Sequence, residues 1–440
     1  MLSSRLFCDD QFDGTTDQRL RGAENAQATR NQARIAVRLQ HGDPPQHEDA
    51  TMFSRLSRKQ PVSSARRQRR PSLELLEGRQ LMSLGAEMIG TVNTTTRNAQ
   101  FASDTATNFS GQTVVVWTDT FSTADHDIRA QRYDSSGGKV GSEIVISGSS
   151  LDESHPKVAI DGGGQFEVAW TQTQFNGDTN VVAQRFDANG VPRDNNSPPL
   201  QVANTPLREY DPSISVMPSG NFVVSYTSDF NSTDQDLFYK EYNSNGTLLF
   251  SRTVANTTAS EAHSSIAISA FGTVDVAWEQ AFSNTDHDIF LGRYSANGTF
   301  LGKNVISNSS LNDQTPSVSM DFVGDAVVVW EQNENIAAIR VSAAGVQQGN
   351  QINIASSSAI ELAPSVVLRR GGGGFVVTYE SLTTSVRAKV AEVSASNTVT
   401  TFDAGVNPAQ AVSIDGVGNY FISATGPELD IHARRGFLSS

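Results

Sequence analysis

The sequence predicts an all-β fold, a seven-bladed β-propeller of four-stranded blades, on three observations. A short apolar strand ending in an aromatic recurs about every fifty residues from Gly111 onward. Each interval also holds three further alternating strands set off by turn residues. The two ends of the repeat region carry complementary half blades. The N-terminal c/d strands should therefore pair with the C-terminal a/b strands and close the ring, with residues 86–440 forming the propeller.

The anchor, strand a, reads Val114-Val115-Val116-Trp117, Phe166-Glu167-Val168-Ala169-Trp170, Phe222-Val223-Val224-Ser225-Tyr226, Val274-Asp275-Val276-Ala277-Trp278, Ala326-Val327-Val328-Val329-Trp330 and Phe375-Val376-Val377-Thr378-Tyr379. A worn seventh copy is Tyr420-Phe421-Ile422-Ser423-Ala424, and successive anchors lie 53, 56, 52, 52, 49 and 45 residues apart. Self-similarity at one period means one supersecondary unit used repeatedly.

The second repeat shows the other strands: b at Val181–Phe186, c near Leu200–Ala203 and d at Ser213–Val216. Asn189-Gly190 joins b to c, and Asn-Gly marks a tight hairpin because both residues tolerate positive φ. The same pair recurs at Asn245-Gly246 and Asn297-Gly298. Strand a is apolar on both faces, so its sheet must be covered on both sides, and radial stacking provides that. The aromatic series Trp117, Trp170, Tyr226, Trp278, Trp330 and Tyr379 then reads as inter-blade core. At the ends, c- and d-like strands near Met88–Thr94 and Ala102–Thr107 face a- and b-like strands at Tyr420–Ala424 and Asp430–Arg435. Closure removes two open edges. A sandwich array would need a repeat of about 100 residues, and a solenoid would need capping repeats.

Composition narrows the function classes. The formal net charge is −14; residues 1–84 carry 14 Lys+Arg against 10 Asp+Glu, leaving 19 against 37 in the rest. An acidic body excludes the basic footprint that nucleic acid requires. The single cysteine, Cys8, permits no internal disulfide and no cysteine metal site. No apolar run is long enough for a transmembrane helix.

Residues 1–84 are polar, rich in Arg and Gln, and read as a disordered basic leader whose true start is suspected at Met52. A basic cluster, Arg66-Arg67-Gln68-Arg69-Arg70, precedes Leu73-Glu74-Leu75-Leu76-Glu77-Gly78-Arg79-Gln80-Leu81-Met82-Ser83. This segment, 73–83, resembles the LEPR-XLL leader of large bacterial exported and surface proteins, with Gly78 and Met82 where that pattern has Pro and Leu. The resemblance implies an extracellular or cell-surface location.

The a–b and c–d loops share one face of a propeller, and here both are acidic. The a–b loops hold Asp125-His126-Asp127, Asp234-Gln235-Asp236 and Asp286-His287-Asp288, with Asp178-Thr179-Asn180, Glu334 and Glu428 as variants. The c–d loops hold Glu153, Glu209, Glu261, Asp313 and Glu361. These carboxylates either order their own loops by accepting N–H bonds or bind Ca2+, which prefers hard oxygen ligands. The candidate metal ligands are Asp125, Asp127, Glu153, Asp234, Asp236, Glu261, Asp286, Asp288 and Asp313. His126 with His155, and His263 with His287, stand as further nitrogen donors. Strand b repeats a base at Arg132, Arg185, Arg293, Arg340, Lys389 and Arg435, broken by Glu241, which reads as ion pairing or stem packing within the blade.

No dinucleotide fingerprint, P-loop, nucleophile elbow or HExxH occurs. The expectation is therefore a non-catalytic, monomeric exported propeller, a binding or scaffolding module for a protein or glycan surface. It would need no cofactor, with Ca2+ as a stabiliser of the acidic face. The alternative is a carbohydrate-active enzyme or lectin working at the central channel mouth.

Overall fold

The chain divides into a unit of residues 1–79 and a unit of residues 80–440. The computed structural model describes residues 87–438 apart from 96–97, 123, 194–197, 232, 370–372, 405–408 and 427–428. The leader, Met52, Cys8 and the 73–83 motif lie outside the described residues, as does Glu428.

The described residues form seven four-stranded antiparallel sheets set around a common axis, a seven-bladed β-propeller. The innermost strands of blades 1 to 7 are Gln100–Thr107, Asp152–Ile160, Glu209–Val216, Ser260–Ile268, Asp313–Met320, Ile360–Leu368 and Ala409–Ile414. The second strand of each blade carries the aromatic anchor, for example Phe166–Thr173 in blade 2. Both of its faces are buried, so the core lies between blades rather than within them. Trp170 packs with Val168 of its own blade and with Val114 and Val116 of blade 1. Trp117 packs against Phe421 and Ile431 of blade 7.

The phase of the repeat differs from the sequence reading by one strand. The strand taken as the last of each repeat, such as Ser213–Val216, is the innermost strand of the following sheet, where Ile214 pairs with Val224. Period alone cannot assign a strand to a sheet, because both neighbours in the chain are equally near.

The closing blade accordingly joins three C-terminal strands to one N-terminal strand, not two to two. Ala409–Ile414, Asn419–Thr425 and Ile431–Phe437 are completed by Glu87–Thr91, which pairs antiparallel with Ile431–Phe437. The d-like strand at Gln100–Thr107 pairs instead with Thr113–Ser122 of its own blade. It meets blade 7 through one backbone bond at its start, Gln100 N donating to Leu429 O at 2.7 Å, and through side chains, Thr107 Oγ1 lying 2.7 Å from Ser413 Oγ. Asn93 locks the seam. Its amide donates to Asp430 Oδ1 at 2.8 Å and to Gln100 Oε1 at 3.0 Å, and its Oδ1 accepts from Ile431 N at 2.8 Å.

The basic series works between blades. Arg132 Nη1 donates to Ala188 O at 2.6 Å, Arg185 Nη1 to Ser244 O at 2.7 Å, and Arg293 Nη1 to Ser342 O at 2.6 Å. Each acceptor is the hairpin turn of the next blade. Where Glu241 breaks the series, Arg252 on the adjacent outer strand substitutes, donating from Nε to Gly298 O at 2.8 Å.

Candidate functional site

The c–d carboxylates each organise the loop that leads into an innermost strand. A hydroxyl four residues earlier donates to the carboxylate: Ser149 to Glu153 at 2.5 Å, Ser309 to Asp313 at 3.1 Å, Ser357 to Glu361 at 2.6 Å, and likewise Thr205 to Glu209 and Thr257 to Glu261. The same hydroxyl accepts the N–H two residues on, as Ser149 does from Leu151 at 3.0 Å. These acids are therefore buried structural caps, and burial pushes the carboxyls of Glu153, Glu209, Glu261 and Glu361 up.

The a–b acids stand at the neighbouring hairpins. Asp125, Asp234 and Asp286 pair with Ser122, Asn231 and Ser283 where each hairpin opens. Burial, with the adjacent Asp234, raises Asp236; burial, with Asp286 and Asp313, raises Asp288. Burial also raises Asp127, partly offset by Arg129. The two columns share one face as the sequence suggests. Among the described residues, however, no group of three or more His, Cys, Asp or Glu side chains is gathered so as to hold a metal ion. His126 turns to Asp152, its Nδ1 2.5 Å from Oδ1, and His155 to Ser154. Of the two histidine pairs, only His263 and His287 converge on a common group.

That group is Glu279, which the sequence reading did not single out. It follows the anchor Trp278 on the second strand of blade 4, pairing with Ala262 of the innermost strand. The same register position holds Thr118, Thr171 and Thr227 in blades 1 to 3, and Glu331 and Glu380 in blades 5 and 6. A column otherwise threonine becomes glutamate in three consecutive blades. The column is visible in the sequence once the repeats are aligned on the anchor, one residue after each terminal aromatic.

Glu279 is 4% exposed and fully engaged. His263 Nδ1 lies 3.0 Å from Oε2, and His287 Nδ1 lies 2.5 Å from Oε1. Blade 5 reaches across, with Thr315 N donating to Oε2 at 3.1 Å and Gln314 Nε2 to Oε1 at 3.4 Å. A β-bulge positions the histidine. Every innermost strand of blades 1 to 6 is bulged here, with a non-glycine residue at φ of 48–55°: Ala102, His155, Asp211, His263, Thr315 and Ala363. Bulges re-aim a side chain at the cost of a ladder bond; this one belongs to the repeat, and in blade 4 it carries His263.

The electrostatics separate the groups. Burial alone would raise Glu279, but the charges and hydrogen bonds of His263 and His287 outweigh it and hold the carboxyl well below the usual range. Burial would lower His263, but Glu279, with Asp211 and Glu331 behind it, holds the imidazole up at about 9. The hydrogen bond to Glu279 also raises His287. Glu380 has no such support, and burial pushes it up to about 7. One end of the arc is thus fixed as an anion and the other is poised between its two protonation states at neutral pH. A separate crevice, lined by Asp134, Asp415, Asn419 and Arg435, lies at the seam between blades 1 and 7.

No known family profile matches the chain, and no curated protein matches it. Solved structures do. One is a protein of unknown function from Dyadobacter fermentans, at 9% identity and TM-score 0.49, over 80% of this chain and all of that one. A Hadza microbial sialidase, Hz136, matches at 10% identity and TM-score 0.46, over 72% of this chain and 74% of that one. The α-L-arabinofuranosidase Arb93A from Fusarium graminearum matches at 10% identity and TM-score 0.47, over 82% and 99%. The expectation of a non-catalytic scaffolding module and of a non-enzyme gives way here to its alternative, a carbohydrate-active enzyme or lectin at the channel mouth. At such identities the likeness is one of architecture, so the case for chemistry rests on the residues themselves.

Proposed function

We propose that the chain is a carbohydrate-active enzyme that cleaves glycosidic bonds at the channel mouth, on the face that carries the acidic loops. The observation that carries this reading is the break in repeat symmetry at Glu279, Glu331 and Glu380. Packing requirements repeat from blade to blade, whereas a reaction needs unlike groups side by side.

Glycoside hydrolysis uses a neutral carboxyl to protonate the departing oxygen and an ionised carboxylate to serve the anomeric carbon, directly or through water. Glu380, raised to about 7 by burial, suits the acid. Glu331, one blade away and 8% exposed, takes the carboxylate role. Glu279, saturated by two imidazoles and a backbone N–H, is the positioning anion that keeps His263 charged beside Glu331. The leader-like 73–83 segment would place this activity outside the cytoplasm.

Leaving-group dependence tests the assignment. Glu380→Gln should lose about 10²–10⁴-fold on unactivated glycosides, the usual worth of a general acid. It should lose far less on nitrophenyl glycosides, whose leaving group needs no proton. Equal losses on both would sink the acid role. Glycan binding without turnover of any substrate would make the mouth a lectin site instead.

A further inference from the structure

The a–b hairpins of blades 1 to 4 each carry an exposed phenylalanine: Phe121, Phe175, Phe230 and Phe282, which are 67, 84, 63 and 54% exposed. In three of them the ring belongs to the residue that breaks the hairpin ladder, between Thr120 and Ser122, Asp229 and Asn231, and Ala281 and Ser283. In blade 2 Phe175 sits within the turn closed by Gln174 N to Asp178 O at 2.7 Å. A bulged residue has no partner across the strand, so its side chain is thrown clear of the sheet. Scattered exposed apolar residues are ordinary; an exposed phenylalanine in the same hairpin of four successive blades, at the same bulge in three of them, is not scatter. Blades 5 and 6 have no phenylalanine in this hairpin, Gln332 pairing with Asn335 and Leu382 with Val386.

Each ring is followed three or four residues later by a carboxylate, Asp125, Asp178, Asp234 or Asp286. The four tips form an arc on the face that bears the Glu279 cluster, and the arc ends at blade 4, the blade of Glu279 itself. An aromatic face attracts a cation, and a neighbouring carboxylate pairs with it. We infer that the arc is an extended subsite for an amine-bearing polysaccharide, some of whose sugar rings stack on the phenylalanines while protonated amines meet the carboxylates. This deepens the reading of the mouth as a glycan-cleaving site and names its substrate class: an internal stretch of a cationic chain rather than a free sugar. The acidic body, with 37 Asp+Glu against 19 Lys+Arg beyond residue 84, complements that charge and opposes an anionic membrane surface or polyanion.

Affinity electrophoresis through gels containing chitosan tests the arc without requiring turnover, so its failure is distinct from failure of the catalytic reading. The full chain should be retarded by chitosan at low salt, less so at high salt, and not by neutral dextran. The fourfold variant F121A/F175A/F230A/F282A should weaken retardation at least tenfold while keeping the parent melting temperature, since the rings are exposed. The single variant Phe230→Ala should weaken it in part. Unchanged retardation of the fourfold variant, or equal retardation of the parent by dextran, would overturn the inference. Stronger capture by polylysine than by chitosan would also overturn it, in favour of a basic polypeptide.

Discussion

Arg185 of blade 2 lies against Gly246 of blade 3: a Cβ at Gly246 would stand 2.9 Å from the guanidinium carbon. The guanidinium meanwhile donates to Ser244 O in the same turn. Gly246 also sits at φ +78°. The Asn-Gly turn therefore does two things at once, reversing the chain and leaving room for the preceding blade's arginine. Gly246→Ala should cost roughly 1–2 kcal/mol from the left-handed backbone alone, and more once Arg185 is displaced. Urea denaturation of the variant beside Arg185→Ala checks it: the double variant should lose less than the sum of the singles, because the two share one contact.

Arg293, like Arg185, is a buried member of the clamp series. It forks onto Asp275, Nε to Oδ1 at 2.7 Å and Nη2 to Oδ2 at 2.6 Å, while Asp275 is wholly buried. Arg293→Met leaves that carboxylate unpaired and should cost about 3–5 kcal/mol. Asp275→Leu combined with Arg293→Met should recover much of the loss, as buried pairs are often replaceable by apolar side chains. Chemical denaturation of the three variants would show it, and a double variant no more stable than Arg293→Met alone would contradict this account of the pair.

Closure by one N-terminal strand predicts a specific failure. Without Glu87–Thr91 the strand Ile431–Phe437 has a bare edge, and bare edges recruit other chains. Removing residues 1–91 should convert the protein to oligomers on light scattering. Asn93→Ala, which orphans Asp430 and Ile431 N, should lower stability by about 1–3 kcal/mol per lost buried bond.

The Glu279 cluster gives a signed pH response. His263 is held at about 9, above its unfolded value near 6.5. Its contribution is full below about 6.5 and is lost as pH rises through 9. Glu279 is held low, so its contribution is full above its unfolded value near 4.5 and is lost as pH falls toward its folded pKa. The cluster therefore stabilises most between about pH 4.5 and 6.5. Glu279→Gln should flatten the melting-temperature profile above pH 6.5. A profile unchanged by the substitution would show that the histidines are not held by this carboxylate.

Much of this architecture is legible in the chain because strand a announces itself through alternating bulk and a terminal aromatic. Trp117, Trp170 and Trp330 are all fully buried between blades, as their repetition implies. Sheet membership is less legible. Ala409–Ile414 is short and built of small residues, so it does not register as a strand, and Glu209–Val216 lies as near in sequence to the blade before it as to the blade it joins. The arginine series is visible, but its acceptors lie 49 to 59 residues away, one blade on, where no local pattern points. The site fell between two signals. The acidic loops are the stronger pattern in the sequence, yet their carboxylates mostly cap loops, while Glu279, Glu331 and Glu380 look like ordinary strand-end acids until the threonine column is aligned beside them.

The most direct test of the central claim is release of reducing ends from a panel of neutral and amine-bearing polysaccharides by the full chain, beside Glu331→Gln and Glu380→Gln. The account predicts release from at least one polymer, lost in Glu331→Gln and strongly reduced in Glu380→Gln, with all three proteins melting alike. No release by the parent from any polymer, or release undiminished in both variants, would contradict it.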